Sequence, residues 1–394
     1  MKYFCILGNN ATLSLSEISA ILPLEKGGKL IQDKVFIFES LEKIDGKTLI
    51  KNIGGVIKIG IIEKEIANKN FITSIKPILK PGVGKYKFGF SCYGQKKLNI
   101  KPLAMDIKKY LKEKGVNSRW ITSKEPTLSS VVVEQNKLTA KGAEIIIISS
   151  SKKYYIGKTI AVQPFKELSF RDYGRPARDD KSGMLPPKLA QIMINLAASP
   201  LVCKKENRED KVILDPFCGS GTILTEALLM GYKNLIGSDI SKTAIKNSEK
   251  NVNWVLSKYQ ISDIGYQFFI KQVAELSKFI KSFSIDAIVT EPYLGPQRGR
   301  IDIKKTVAEL EKLYSKAFKE FKKILKKDGR IVIIFPVFTQ HGRKKINPDL
   351  NGFKIINPVP EYLINNKFID LTKRNTIIYG RTGQKIWREI VILK

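Results

Sequence analysis

Val212-Ile213-Leu214-Asp215-Pro216-Phe217-Cys218-Gly219-Ser220-Gly221-Thr222-Ile223-Leu224-Thr225-Glu226-Ala227-Leu228-Leu229 is the stretch whose reading decides the fold. The apolar run Val212-Ile213-Leu214 predicts a buried strand that ends on a carboxylate, Asp215. Gly219 and Gly221 let the backbone turn tightly and approach a ligand, and Thr222 is placed to cap the helix that the following residues predict. A second strand-like run, Leu235-Ile236-Gly237-Ser238, ends on Asp239, an acid placed to grip a pair of ribose hydroxyls. Strand, glycine loop, helix, strand, acid is the order of a βα unit that binds a nucleotide-like cofactor.

The absent residues narrow the cofactor. Leu224 stands where a dinucleotide fingerprint needs its third glycine, so close approach of the helix to a pyrophosphate is not provided for. No complete G-x-x-x-x-G-K-[ST] run for a triphosphate is present: Gly46-Lys47-Thr48 and Gly157-Lys158-Thr159 lack the glycine five residues earlier. A nucleoside cofactor without phosphates remains, and S-adenosylmethionine fits: Asp215 suits its ammonium group and Asp239 its ribose. Cys218 lies inside the loop but has no histidine to activate it, so it reads as packing beside the cofactor. The single histidine, His341, sits in the basic run Gln340-His341-Gly342-Arg343-Lys344-Lys345, which reads as a solvated loop.

Composition points to a polyanionic partner. The 394 residues suggest two or three domains, and 43% hydrophobic content is enough for packed cores. The formal net charge is +32, from 69 Lys plus Arg against 37 Asp plus Glu, which favours nucleic acid as partner. Cys5, Cys92, Cys203 and Cys218 are far apart and form no C-x-x-C pair, so neither a metal site nor a disulfide framework is expected. No signal peptide and no apolar run of about 18 residues is present, and the expected location is the cytoplasm.

From Lys211 onward strands and helices alternate. After the glycine loop, a helix reaches Met230 and is closed by Gly231, and a second helix opens at Ser241 and runs to about Tyr259. Tyr266–Val273 reads as a third strand, Ile285–Thr290 as a fourth, Val307–Leu325 as an amphipathic helix and Arg330–Phe335 as a fifth strand. Thr376–Tyr379 and Ile386–Ile392 flank a turn and read as an antiparallel pair. Upstream, Pro186-Pro187 opens a helix carrying Leu189, Ile192, Met193 and Leu196. The arginine-rich segment before it, from Arg171 to Asp180, reads as polar, turn-rich and poorly suited to burial. Residues 1 to about 165 mix short strands and helices as an α+β region does. There Lys85–Cys92, Val131–Val133 and Ile145–Ile148 read as strands and Leu103–Leu111 as a helix with a basic face.

A second chemical motif closes the fourth strand: Thr290-Glu291-Pro292-Tyr293-Leu294-Gly295. In an open α/β sheet ligands bind beyond the carboxyl ends of the strands, so Glu291 and Asp215 are expected to face one cleft. An acid, a proline and an aromatic ring suit methylation of an exocyclic amine, whose lone pair is conjugated into its base. A carboxylate accepting the N–H restores lone-pair character, and the ring stacks on the base and fixes the line of attack.

With these residues in view, DPFCGSGTILTEAL, RPARDDKSGMLPPKLAQIMINLA, TEPYLGP and GQKIWREIVILK together resemble the THUMP-domain tRNA guanine-N(2) methyltransferases that modify guanosine 10. The resemblance extends over nearly the whole chain and implies a class I methyltransferase, Rossmann-like α/β domain over 166–394. It also implies an α+β ferredoxin-like segment over 1–65 and a THUMP RNA-binding domain over 66–165 that grips the acceptor end of tRNA. The implied catalytic residues are Glu291, Pro292 and Tyr293. The cofactor residues are Met184, Pro186, Asp215, Cys218, Gly219, Ser220, Gly221, Thr222, Asp239 and Gln272. The RNA-binding residues are Arg119, Arg171, Arg175, Arg178, Arg298 and Arg300, no metal is needed, and an activating protein subunit is left open.

Two departures from the family stand out. Its catalytic loop is D-P-P-Y, and Glu291 or Thr290 takes the aspartate's place depending on the anchor; the anchor on Ala287–Thr290 keeps the carboxylate. The acid that usually follows the third strand is missing, leaving Gln272 or a backbone group. The competing readings are a DNA amino-methyltransferase, a catalytically weak tRNA-binding protein and, given Leu224, least of all an NAD-dependent oxidoreductase.

Overall fold

The computed structural model describes all residues except 23, 25–26, 68–69, 95–97, 152, 179–183, 198–207, 297–298, 300 and 341. It divides into two compact units. The first comprises Met1–Leu15, Leu24–Lys51 and Gly55–Lys166, and the second Ser16–Pro23, Asn52–Gly54 and Glu167–Lys394.

The N-terminal elements are β1 (Lys2–Leu7), α1 (Ala11–Ile21), β2 (Gly28–Ile31), β3 (Val35–Glu39), α2 (Gly46–Asn52) and β4 (Val56–Ile66), all of the first unit except α1 from Ser16 and the last residue of α2. It continues α3 (Phe71–Ile75), β5 (Tyr86–Gly94), α4 (Lys101–Glu113), β6 (Ser118–Ile121), α5 (Ser130–Gln135), β7 (Gly142–Ser149) and β8 (Tyr154–Val162). All eight strands form one sheet in the order β2-β3-β1-β4-β8-β7-β5-β6. Its first half is a split βαβ arrangement of the ferredoxin-like kind. Antiparallel pairing of β4 with β8 joins that half to β5–β8, so both halves share a continuous hydrogen-bonded layer. On one face Phe71, Ile75, Phe88, Ile107, Leu111, Ile145 and Ile156 form a core. Within the sheet, Lys58 and Glu144 form a fully buried ion pair. Ser91 and Thr159 donate to the same carboxylate at 2.5 and 2.6 Å.

The second unit contains α6 (Phe165–Tyr173), which begins at the boundary, then α7 (Pro187–Ala197), β9 (Val212–Asp215), α8 (Thr222–Leu229), β10 (Asn234–Asp239), α9 (Lys242–Tyr259) and β11 (Gly265–Ile270). There follow β12 (Ile285–Thr290), α10 (Ile303–Ile324), β13 (Leu325–Phe338), β14 (Lys344–Lys345), α11 (Glu361–Ile364), β15 (Ile377–Tyr379) and β16 (Ile386–Leu393). The sheet order is β11-β10-β9-β12-β13-β16-β15. Neighbours from β11 to β13 are parallel, and β16 runs antiparallel to both β13 and β15. Five parallel strands and a terminal antiparallel pair make this the class I methyltransferase sheet. The strands inside it are near-continuous apolar runs because helices cover both faces. In α10, Leu310, Tyr314, Ala317, Phe321 and Ile324 recur at helical spacing and are buried, while Lys312, Lys316 and Lys319 stay outside.

Several expectations need correction. Val131–Val133 is not a strand: Ser129 accepts a hydrogen bond from the Val132 amide and starts α5, and Val131 stays exposed. A capped turn of helix outweighs the β propensity of three valines that have no strand partner. The third strand stops at Ile270, because Gln272 opens a short 3-10 helix over Val273–Lys278. Thr222 does not cap α8 either. Gly221, with φ of 80°, holds the N-cap position and frees the threonine hydroxyl for another partner.

Candidate active site

The carboxyl ends of β9, β10 and β12 lie side by side, with Gly237 in register with Asp215 and Ala287 with Ile213. A cleft of about 1560 Å³ opens beyond them, within the second unit. Asp215 forms its floor. Its side chain is buried and its Oδ1 accepts from Thr290 Oγ1 at 2.7 Å and from the Phe217 amide at 3.2 Å. Burial raises this carboxyl from an ordinary value of 3.8 to about 7, against the pull of those two donors, and the charges of Asp239 and Glu291 add to the rise. Asp239 closes the next strand, where Oδ2 accepts the Gly219 amide at 3.1 Å and Oδ1 the Ser241 amide at 2.8 Å.

Helix α9 holds the glycine loop from behind. Ser248 Oγ donates to Gly219 O at 2.9 Å, and Asn251 Nδ2 donates to Ser220 O at 2.8 Å. Asn251 also exchanges hydrogen bonds with both backbone groups of Ala177, tying the segment before α7 to the loop. A methyl group on Gly221 would lie 2.9 Å from Ser248 Oγ, and its positive φ penalises any side chain, so this position demands glycine twice over. A methyl group on Gly219 would meet nothing within 4 Å, so the backbone there lies open to a ligand. Cys218 is buried, and burial pushes its thiol up, which makes it packing and not a nucleophile.

Glu291, Pro292 and Tyr293 stand at the rim formed by the end of β12 and line the same cleft. Tyr293 is 58% exposed, with its ring open to a planar ligand, whereas Leu294 is buried. Tyr314 from α10 fixes the loop by donating toward Tyr293 O at 3.2 Å and Ile334 O at 3.3 Å. The Glu291 carboxylate is held by Arg388 of β16, with Nε 2.5 Å from Oε1 and Nη2 3.4 Å from Oε2.

Most of the expected cofactor residues come together. Met184, Asp215, Cys218, Gly219, Ser220, Thr222, Asp239 and Gln272 line the cleft. Pro186 does not; its carbonyl accepts the amides of Leu189 and Ala190 and starts α7. Gly221 acts through the turn it allows.

The arginine assignments fare worse. Arg171 is buried in a two-point pair with Glu226 at 2.7 and 3.0 Å. Arg175 is buried too, its Nη1 donating to Thr222 Oγ1 at 2.6 Å and its Nε to Arg171 O at 2.9 Å. Neither guanidinium can reach a phosphate; they brace the glycine loop and α8 against α6. Arg178 is exposed and lines the cleft, and Arg119 is exposed on β6 of the first unit. Arg298, Arg300, His341 and Cys203 lie outside the described residues.

Sequence reading misses Ile240, 69% exposed beside Asp239 with the cleft in front of it. It also misses the lysines of the rim, Lys312 and Lys316 of α10 and Lys385 before β16. Arg388 escapes it as well, although a charged Arg388-Glu389 pair within the otherwise apolar strand Ile386–Leu393 signals buried partners on both faces.

This arrangement has counterparts. A family model described as RMKL-like, methyltransferase domain, matches residues 175–341, and one described as DNA methylase matches residues 68–250. Over its whole length the chain superposes on the crystal structure of TrmN from Thermus thermophilus, covering 99% of that chain, with a TM-score of 0.52 at 15% identity, a likeness of fold. A tRNA (guanine(10)-N2)-dimethyltransferase of Pyrococcus abyssi is 28% identical over 207 residues, 50% of this chain and 52% of the relative. The namesake from Methanocaldococcus jannaschii is 32% identical over 43% of this chain and 40% of the relative, so the chain spans about half or less of these relatives' length. A "probable tRNA (guanine(10)-N2)-dimethyltransferase" of Methanothermococcus thermolithotrophicus is 30% identical over 41% of this chain and 84% of the relative. On that match, and with the class I sheet and its cleft, the chain belongs to the tRNA guanine-N2 methyltransferase family.

Proposed function

We propose that the protein methylates the exocyclic N2 amine of a guanosine in tRNA, position 10, with S-adenosylmethionine as donor. The observation that carries this reading is the convergence of Asp215, Asp239 and Glu291-Pro292-Tyr293 at adjacent strand ends in one cleft. The residues present fit the cofactor. In this reading buried Asp215 would receive the ammonium group and Asp239 the ribose, exposed Ile240 would offer the purine an apolar contact, and the open side of Gly219 would admit the ligand to the backbone.

When bound, S-adenosylmethionine supplies a methyl group already activated by its sulfonium charge. The chain's own residues bind and align. Oε2 of Glu291, with Arg388 at 3.4 Å as its contact among the described residues, accepts an N–H of the guanine amine, returns lone-pair density to the nitrogen and takes the proton that the nitrogen sheds once methylated. Tyr293 stacks on the base and sets the attack line. Holding the amine and methyl in line supplies on the order of 7–11 kcal/mol of the barrier. Arg178, Lys312, Lys316 and Lys385 at the rim receive phosphates, replacing Arg171 and Arg175 in that role. Residues 66–165 serve as the THUMP module and residues 1–65 as its ferredoxin-like lead, gripping the same tRNA. Among the described residues no helix is long and apolar enough to cross a membrane, and cytoplasmic tRNA is the proposed substrate.

The test is incubation with methyl-labelled S-adenosylmethionine and an unmodified tRNA transcript, followed by nucleoside mass analysis and position mapping. N2-methylguanosine or N2,N2-dimethylguanosine at position 10 is expected, and Glu291→Ala is expected to abolish it with tRNA affinity near wild type. Full activity of that variant, or no label in guanosine, sinks the assignment. The match to a DNA methylase model favours duplex DNA as the second reading, and a competition between DNA and tRNA separates the two.

A further inference from the structure

We propose that Arg388 is the positioning residue of the reaction, and that Glu291 and Arg388 form one functional unit in which the arginine aims the carboxylate at the amine. The inference rests on the methyl-transfer reading above and extends it to a residue from a distant part of the chain.

Strand alternation supplies the first step. Arg388 and Glu389 are neighbours in β16, so their side chains leave opposite faces of the sheet. Glu389 is fully buried on its face and is gripped by Arg374, by Thr376 and, at 3.0 Å, by Lys345. Together with the ladder that pairs Phe335 with Glu389 and Pro336 with Arg388, this grip fixes the rotation and register of β16. Arg388 is thereby delivered to the cleft side, where it lines the cavity and meets Glu291.

The pairing itself is lopsided. Oε1 takes the close contact at 2.5 Å, while among the described residues Oε2 has only the long one at 3.4 Å. A carboxylate offers about four lone-pair sites, so an oxygen held in this way keeps acceptor capacity for an incoming N–H. Both side chains are largely buried, at 15% and 13% exposure, so solvent screens the pair weakly. Glutamate has three side-chain torsions to fix, and a partner anchored on a strand removes that freedom before the substrate arrives.

The test compares wild type with Arg388→Lys, Arg388→Met, Glu291→Gln and the double variant Arg388→Met/Glu291→Gln. Arg388→Met is expected to lower kcat about 10–100-fold, the range for loss of a residue that orients a functional ligand. KM for tRNA and calorimetric affinity for S-adenosylmethionine should stay within about 2-fold of wild type. Arg388→Lys keeps the charge and is expected to recover part of the rate. The double variant should be no slower than Glu291→Gln alone, because the arginine acts only through that carboxylate. Thermal melts of the same set supply a readout independent of turnover, in which the two substitutions should also be non-additive. An active wild type with an unimpaired Arg388→Met, multiplicative losses in the double variant, or additive melts overturns the unit. Absence of transfer by the wild type to tRNA overturns the methyl-transfer reading instead, and the positioning role falls with it.

Discussion

Replacing Asp215 by Asn is expected to stabilise the protein in the absence of cofactor, and to do so more at high pH than at low. Oδ1 of Asp215 accepts both the Thr290 hydroxyl and the Phe217 amide, so an asparagine Oδ1 keeps both bonds while the charge is removed. The native carboxyl is raised by burial from 3.8 to about 7, so between those values the folded chain holds a proton that the unfolded chain has released. Stability therefore falls as pH rises from about 4 to about 7 and is level beyond. Each tenfold change in proton affinity is worth ~1.4 kcal/mol, so the full penalty is about 4 kcal/mol, of which roughly 1–2 has accrued at pH 5. The advantage of Asp215→Asn should grow by roughly 2–3 kcal/mol between pH 5 and pH 8. For a unit of this size that corresponds to about 5–10 °C in melting temperature. Calorimetric melts of the cofactor-free proteins at the two pH values measure it directly. A gap that is constant with pH, or a variant less stable than wild type at pH 8, refutes the reasoning. The same variant should gain no melting temperature from added S-adenosylmethionine, whereas the wild type does, because stability has been exchanged for loss of the ammonium partner.

Three further outcomes follow from the burial pattern. Arg171→Met should cost about 3 kcal/mol, the lower end for breaking a buried pair, because Glu226 loses its two-point partner and keeps only Gln191 and the nearby charge of Arg175, and should leave the salt dependence of tRNA binding unchanged; a shallower salt slope in a binding titration would restore Arg171 to the phosphate contacts. Lys312→Glu/Lys316→Glu should weaken tRNA binding and flatten its log–log salt dependence by ~0.7–0.9 for each phosphate no longer neutralised, read by filter binding from low to moderate salt. Lys58→Met should destabilise the first unit by about 3–5 kcal/mol, and adding Glu144→Gln should recover much of the loss, since the cost lies in an uncompensated buried charge; chemical denaturation of both variants checks it.

Sequence patterns recover the second unit closely where they are local. The apolar runs at Val212 and Ile285, the glycine loop and the cap at Ser241 each predict their element from a handful of neighbours, and β9, β12 and α9 form as read. Asp215, Asp239 and Glu291 are legible because strand-end position in an open sheet dictates which way they face. The failures share a different cause. Val131–Val133 has strand propensity but no strand to pair with, and pairing is a long-range property. Arg171 and Arg175 look like surface cations until Glu226, the Thr222 hydroxyl and the Arg171 carbonyl are seen to receive them. Glu226 lies on α8, far along the chain from α6, so no window of sequence contains both halves of the pair. The charged Arg388-Glu389 pair signals buried partners, but the identity of Arg388's partner is illegible for the same reason, Glu291 lying 97 residues away in sequence at the end of β12.

The chain's charge is therefore sorted, and the sorting bears on mechanism. A protein of net charge +32 gathers Asp215, Asp239 and Glu291 at the strand ends of one cleft that Arg178, Lys271, Lys312, Lys316 and Lys385 also line, with Glu309 among the lysines of α10. A uniform basic surface would draw in RNA but repel a cationic cofactor, and a uniform acidic cleft would do the reverse. Segregation admits both, because carboxylates within a few ångströms of the cofactor act through a low-dielectric interior while the lysines act through solvent and are screened within about 8–10 Å. Buried Asp215 then carries a consequence of its own. Its raised proton affinity means that seating an ammonium group beside it drives a proton off, so cofactor affinity should strengthen as pH climbs toward 7, in the direction opposite to the stability of the empty fold. One buried carboxyl group thus sets both the stability of the empty fold and the proposed affinity for a cationic ligand, with opposite dependence on pH.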